Sequence, residues 1–98
     1  MLTLTRRIGE AIRVGSNLMI RIEAIDHPQV RIRIDYPPLF TGSIFTFHAG
    51  QTVPITTDVT ITIHRVGHAR VHLGVIAPPN MLILRQEIAG KPAKHPRA

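Results

Sequence analysis

The chain has 98 residues, no cysteine and a formal net charge of +6. This length allows one compact domain, and the lack of cysteine excludes both a disulfide framework and a thiolate metal site. The first residues contain no long apolar run, so we expect a cytoplasmic protein without a signal peptide or a spanning helix.

Arginine supplies most of the positive charge, because the only lysines are Lys91 and Lys94. The planar guanidinium fork matches phosphates and base edges, whereas an ammonium group is a point charge. A small basic domain rich in arginine is typical of nucleic-acid binding. A solvated positive surface without any ligand explains the charge equally well.

Alternation of apolar and polar residues predicts strands along most of the chain. It runs over residues 18–24 and 30–34, and again over 59–64 and 71–75, with turns expected at Asp26–Pro28 and at Gly67-His68. No segment keeps a helical period. One helical turn could start at residues 86–89, where Gly90 and Pro92 would stop it. The last eight residues, 91–98, are expected to form a disordered basic tail.

The second half of the chain repeats the first at a constant spacing. Gly9 and Gly50 are 41 residues apart, and so are Pro37 and Pro78, so no gap is needed between the copies. An internal repeat dictates the architecture before any local motif does. A copy of about forty residues is too short to bury a core by itself, so we expect both copies to fold together. Further identical pairs are Thr5/Thr46, Ile20/Ile61, Ile22/Ile63, His27/His68, Val30/Val71 and Pro38/Pro79.

Three motifs of the chain occur together in one known family. Residues 1–10 read MLTLTRRIGE with Val14-Gly15 following, residues 29–32 read QVRI, and residues 74–78 read GVIAP with MLILRQEI at 81–88. This combination resembles the CsrA/RsmA carbon storage regulators, over residues 1–38 and 50–88. The chain looks like a tandem variant, with copies at 1–41 and 42–90 that share a bridging strand at 40–48.

The resemblance implies an all-β fold, an intertwined two-sheet sandwich in which one chain reproduces the homodimer of that family. Little or no C-terminal helix is expected. Family members bind a GGA trinucleotide, usually in a hairpin loop of an mRNA leader, and thereby control translation initiation or transcript stability. Their RNA sites lie where the first strand of one subunit runs beside the fifth strand of the other.

One composite site is implied by carrying the family's contacts over residue by residue. Its first strand comes from the first copy and its turn and fifth strand from the second. Leu84 stands where the family commonly has histidine, and Gln86 replaces an acid. The implied RNA-binding residues are Leu4, Thr5, Arg6, Arg7, Ala77, Pro78, Met81, Ile83, Leu84 and Arg85.

A second composite site is not expected to bind RNA. The offset of the repeat maps both of its strands onto residues 40–48. One strand would therefore serve as the first strand of the second copy and as the fifth strand of the first copy. Phe47 and His48 stand in place of Arg6 and Arg7, and Ile44 stands in place of Arg85. The aromatic residues here could stack on bases, or they could form a hydrophobic plug over the lost site.

Other functions have less support in the sequence. His64, His68 and His72 have the spacing of metal ligands on a helix, but strand alternation disperses them. No catalytic constellation or phosphate loop is present, so neither an enzyme nor a cofactor is expected. Arg6, Arg7 and Arg85 could instead protect exposed sheet edges. The resemblance also allows a protein-interaction or decoy role, with a partner like the assembly factor FliW. We expect the chain to be a monomer.

Overall fold

The structure is a computed structural model that describes residues 1–86, with Gln86 described by its backbone alone. The helical turn expected at 86–89 and the tail at 91–98 lie outside these residues, except that Gln86 ends a strand. The described residues form nine strands: β1 (Leu2–Arg6), β2 (Ala11–Val14), β3 (Leu18–Asp26), β4 (Gln29–Tyr36), β5 (Phe40–His48), β6 (Thr52–Pro54), β7 (Thr60–Val66), β8 (Val71–Ile76) and β9 (Ile83–Gln86).

The strands pair antiparallel into two sheets, and residues 1–86 contain no helix. One sheet has four strands in the order β1-β8-β7-β6, and the other has five in the order β5-β4-β3-β2-β9. The prediction of an all-β fold is confirmed. A helix that could cross a membrane is accordingly absent from the part of the chain that is described.

Strands are exchanged between the two copies. In the five-stranded sheet, β2, β3 and β4 of the first copy are flanked by β5 and β9 of the second. In the four-stranded sheet, β6, β7 and β8 of the second copy are joined by β1 of the first. Each sheet therefore has a three-stranded meander from one copy, with two edge strands from the other copy in the larger sheet and one in the smaller. This is the intertwined sandwich that the resemblance implied, built within one chain.

The repeat is reproduced in the hydrogen bonds of its turns. The Gly9 amide donates to the Ile22 carbonyl at 2.8 Å, and the Gly50 amide donates to the Ile63 carbonyl at 2.6 Å. Both glycines have left-handed backbone angles, with φ of 89° and 90°, which a side chain would strain. The pairing of β3 with β4 shifts after Ile22, and that of β7 with β8 shifts after Ile63. Equivalent residues therefore adopt equivalent turns and bulges.

Both copies contribute to one hydrophobic core between the sheets. Ile20 and Ile61 are buried, as are their equivalent pairs along the neighbouring strands. Their branched side chains suit a pleated, buried surface. A continuous cluster connects the two copies: Leu4, Ile12, Val14, Leu18, Ile20, Ile22, Val30, Ile32, Ile34, Phe47, Ile55, Val59, Ile61, Ile63, Val66, Val71, Leu73 and Val75. Neither copy has a core of its own.

The connection between the copies is short and local. Strand β5 follows β4 after only the residues Pro37–Leu39, and it hydrogen-bonds to β4 from Gln29↔His48 onwards. It therefore takes the position of a first strand for the second copy. Within residues 1–86 no strand lies on the outer side of β6, where a fifth strand of the first copy would belong.

Candidate functional site

The segment between β8 and β9 carries the chain from one sheet to the other at one side of the sandwich. Strand β8 pairs with β1, and β9 pairs with β2 at the edge of the five-stranded sheet. Residues 77–83 line a shallow groove together with Met1, Leu2 and Val75. The groove thus brings Ala77, Pro78, Met81 and Ile83 together with the start of β1, as the composite site requires.

Backbone hydrogen bonds fix this crossing segment. The Met81 amide donates to the Pro78 carbonyl at 2.9 Å, which closes a turn. The Gly15 amide donates to the Leu82 carbonyl at 2.7 Å and ties the segment to the end of β2. The Met81 side chain covers Gly15, because a β-carbon there would lie 3.3 Å from its Cγ. The turn is therefore held in place on both sides.

Arg6 is held inside the protein rather than presented to solvent. Its exposed fraction is 7%, and it is the buried charged residue of the described core. Its Nε donates to the Thr5 carbonyl at 2.9 Å and lies 3.7 Å from Oε1 of Glu10. Its Nη1 donates to the Ala11 carbonyl at 3.4 Å. A buried guanidinium needs such partners, so Arg6 fixes the β1–β2 connection.

Arg7 is exposed, and its backbone is held by Glu10. The Arg7 amide donates to Oε1 of Glu10 at 2.9 Å, and the Glu10 amide donates back to the Arg7 carbonyl at 3.0 Å. The same carboxylate oxygen faces Arg6. One glutamate therefore organises both arginines, and the Arg7 side chain projects from a fixed backbone.

Arg85 lies on the edge strand β9 and is exposed. It pairs across from Ile12, which is fully buried, so both lie on the side of the sheet that faces the other sheet. Because β9 is an edge strand, this position lies at the border of the core, and the Arg85 side chain remains exposed. Leu84 pairs across from Arg13 on the outer face and has an exposed fraction of 43%.

The remaining predicted residues are divided between core and surface. Leu4 is 3% exposed and packs across from Leu73, so its side chain belongs to the core. Thr5 is on the outer face, where its Oγ1 lies 3.0 Å from Nδ1 of His72 in a hydrogen bond. Ala77, Pro78, Met81 and Ile83 are half-buried. Only Thr5, Arg7, Leu84 and Arg85 of the ten predicted contacts are exposed.

The opposite edge of the sandwich, at β5, has phenylalanine side chains where the first edge has arginine. Phe47 occupies the position of Arg6 and is equally buried, at 6% exposed. Phe45 stacks on Phe47 at 6.3 Å and meets Phe40 edge-on at 5.8 Å, between ring centroids. The arrangement fits a hydrophobic plug better than a stacking platform, since Phe47 is inside the core. In this fold Ile44 corresponds to Thr3 of β1, because β5 is a first strand and not a fifth one.

A proline makes the outer side of β6 unsuited to a further strand, and none lies there within residues 1–86. The Gly15 amide points to β9, and ladder alternation gives the Arg13 amide the same direction. The equivalent of Arg13 is Pro54, which has no N–H to donate. The equivalent of Gly15 is Thr56, whose amide instead donates to the Val59 carbonyl at 3.1 Å. Two of the donors that hold β9 against β2 therefore have no free counterpart on β6.

Sequence reasoning did not assign roles to Glu10 and Gln51. Gln51 repeats the geometry of Glu10, since its Oε1 accepts a hydrogen bond from the His48 amide at 2.6 Å. Both residues follow a glycine at the same offset of the repeat. A glycine followed by an acceptor side chain at both places in the repeat was the signal that could have identified this hydrogen bond to the amide three residues earlier.

Comparison with known proteins gives a consistent result over both copies. The model of the CsrA global regulator protein family matches residues 1–41 and 44–93. The translational regulator CsrA of Desulfitobacterium hafniense (strain DSM 10664 / DCB-2) is 35% identical over 54 residues, which are 52% of this chain and 70% of the relative.

Two further relatives have the same description. The translational regulator CsrA of Desulfitobacterium hafniense (strain Y51) is 29% identical over 65 residues, covering 63% of this chain and 84% of the relative. That of Bacillus subtilis (strain 168) is 40% identical over 37 residues, covering 38% of this chain and 50% of the relative. No solved structure matches.

Proposed function

Because the chain belongs to the CsrA family of global regulators, we propose that it is a cytoplasmic RNA-binding regulator that recognises a GGA-containing mRNA hairpin through one composite site. Binding there would control translation initiation or mRNA stability. The chain would act without catalysis or a cofactor. The observation that carries this proposal is the unequal pair of sandwich edges: arginines line the edge at β1 and β9, and phenylalanines fill the edge at β5.

The residues at the first edge suit a single-stranded RNA loop. Exposed Arg7 directly follows β1, and exposed Arg85 lies on β9. An arginine can bridge O6 and N7 of guanine or clamp a phosphate with two parallel bonds. The turn at Ala77 and Pro78 is small, so a base can approach its backbone closely. Sequence-specific RNA proteins read unpaired bases by such edge contacts.

The ten proposed contacts then have different roles. Arg7 and Arg85 carry the charge, and Thr5 and Leu84 border the site. Ala77, Pro78, Met81 and Ile83 shape the groove. Leu4 and Arg6 are buried and act as positioning residues, which hold β1 and the backbone of Arg7 in place.

A protein-interaction role is the second candidate, and one observation favours it. The groove between β1 and the crossing segment has exposed apolar side chains, with Leu2 at 41% and Leu82 at 65%. Contiguous exposed apolar surface is typical of protein contacts. A FliW-like protein, or a decoy action on an ordinary CsrA dimer, would use this surface with weak RNA binding.

Titration with a GGA hairpin RNA tests the proposal through its stoichiometry. We expect saturation at one RNA per chain, because among residues 1–86 the equivalents of Arg6 and Arg7 at the β5 edge are Phe47 and His48. The measurement is isothermal titration calorimetry, with a hairpin in which GGA is changed to CCA as the control. Saturation at two RNAs per chain would contradict the inactive second edge. Equally weak binding of both hairpins would favour the protein-interaction role, which expects weak RNA binding.

Glu10 provides a second test, since it has a matched partner in Gln51. Glu10→Ala removes the acceptor for the Arg7 amide and the counter-charge of Arg6. We expect a loss of about 1–2 kcal/mol in the free energy of unfolding and roughly tenfold weaker RNA binding. Gln51→Ala breaks the same cap at the other edge. It should cost stability but leave the RNA affinity unchanged, as read in a filter-binding assay. Equal RNA losses in both variants would contradict the assignment of the site.

A further inference from the structure

Three of the four sheet edges carry features that prevent pairing with another strand. Strand β1 has five residues and ends in Arg6, with Arg7 next to it. Strand β6 has three residues and ends in Pro54. Strand β9 has four residues and contains Arg85. Short length, charge and proline are the means by which natural sheets protect their edges.

Strand β5 has none of this protection. It extends over nine residues with the sequence FTGSIFTFH, which contains neither a proline nor an Asp, Glu, Lys or Arg residue. Within the described residues no strand lies on its outer side. Two of its apolar side chains are partly in solvent, Ile44 at 48% and Phe45 at 37%. A long, uncharged, apolar edge of this kind is a template for strand addition.

The backbone groups that β5 presents can be identified from the turn that follows it. The His48 amide donates to the Gln51 side chain, so it does not donate to β4. Alternation along an antiparallel strand then directs the amides of Thr46 and Ile44 outwards as well. These two residues lie in the regular part of the β4–β5 ladder, opposite Arg31 and Arg33. The free edge therefore offers two adjacent sets of donors and acceptors.

We propose that β5 pairs antiparallel with β5 of a second copy of this chain, about a two-fold axis at Phe45. Ile44 of each chain then pairs with Thr46 of the other, and all of the outward donors and acceptors of both residues are used. Phe45 meets its own copy directly across the axis. No charge is brought against a like charge, because β5 has no Asp, Glu, Lys or Arg residue.

The position of Phe45 supports this pairing. It lies opposite buried Ile32, so it faces the four-stranded sheet. Within residues 1–86 no strand beside β6 covers that place, which leaves Phe45 partly in solvent although it belongs to the inner face. A second Phe45 fills the space with an aromatic cross-strand pair, a favourable combination in sheets. The contact is isologous and the other edges are protected, so the assembly stops at two chains.

The proposal is independent of the RNA site, which lies on the opposite edge. Its test is the mass of the full chain by sedimentation equilibrium over a wide concentration range. We expect a dimer and no larger species. Ile44→Lys adds the kind of charge that protects natural edges, and Thr46→Pro removes an outward donor at an edge position that tolerates proline. Both variants should be monomers with the thermal stability of the parent monomer.

Thr52→Lys on β6 is the matched control, because it adds the same charge to an edge that proline already closes. It should remain a dimer. A monomeric parent chain at every concentration, which is what the sequence alone suggested, would overturn the proposal, and so would dimers that persist in both β5 variants. RNA stoichiometry is one per chain in either state, so this test and that of the proposed function can fail separately.

Discussion

Arg85→Ala is expected to weaken binding of a GGA hairpin by about one hundredfold, the effect of losing one bidentate arginine contact worth about 1–3 kcal/mol. Arg85 is exposed on β9 and has no equivalent at the other edge of the sandwich. Within residues 1–86 no equivalent arginine is therefore available to compensate for its loss. The measurement is an electrophoretic mobility shift at fixed ionic strength, because phosphate contacts make the affinity depend on salt.

Arg33→Ala is the control for this prediction. Arg33 is also exposed and lies on β4, which β3 and β2 separate from β9, so its replacement removes the same charge at a distance from the candidate site. We expect at most a small loss of affinity from the general electrostatic attraction. Similar losses in both variants would show that the net charge of the chain, and not the edge at β1 and β9, determines RNA binding.

Ile20→Ala and Ile61→Ala are each expected to lower the free energy of unfolding by about 2–5 kcal/mol. The two isoleucines are equivalent in the repeat and are 1% and 0% exposed, so neither truncation can be relieved by solvent. Both belong to the single core that the two copies share. Urea denaturation should therefore show one cooperative transition for the parent chain, shifted to lower urea by a similar amount in each variant.

Two probes distinguish this result from independent halves. Tyr36 lies at the end of the first copy, and its fluorescence reports locally, while far-ultraviolet circular dichroism reports on all strands. Their transitions should coincide in every variant. A variant in which the two probes separate would show that one copy unfolds without the other, in contradiction to the shared core. Ile76→Ala, at a side chain of β8 that is 42% exposed, is a control for the loss of side-chain volume outside the core.

The fold was largely predictable because the repeat constrains it at two levels. Alternation identified the apolar faces, and the constant offset required each copy to make the same turns. The structure confirms this at Gly9 and Gly50, whose left-handed angles differ by one degree. Local sequence was sufficient here, since a turn depends on residues within a few positions of one another.

Which strand forms each sheet edge was harder to predict from the sequence. The offset mapped two roles onto residues 40–48, but pairing with β4 leaves the strand only one of them. Which edge stays open depends on hydrogen-bond direction at single residues, as at Pro54. Alternation patterns contain no such information, because they describe side-chain faces and not the direction of amides.

The residues of the candidate site remain a prediction, and their exposure could not be read from the sequence. The resemblance identified Leu4 and Arg6 as contacts, and the structure buries both. Leu4 lies on the inner face of β1, and Arg6 follows it at the next inward position. Because Leu4 and Arg6 are two residues apart on a strand, the sequence already places them on the same face. A charged residue at an inward position near a strand end can be either buried or exposed, and the ion pair with Glu10 decides in favour of burial.

The order in which the strands meet has a consequence for folding. Strands β2 to β5 follow one another as hairpins, and so do β6 to β8, so both meanders can close through local contacts. Strand β1 must instead find β8 across most of the chain, and β9 must find β2. Distant contacts carry the larger entropy cost and form late. We therefore expect the two strands that border the groove to form last and to open first. RNA that contacts both strands would stabilise their closed arrangement. Amide hydrogen exchange should therefore slow more in β1 and β9 than in the other strands when RNA is added.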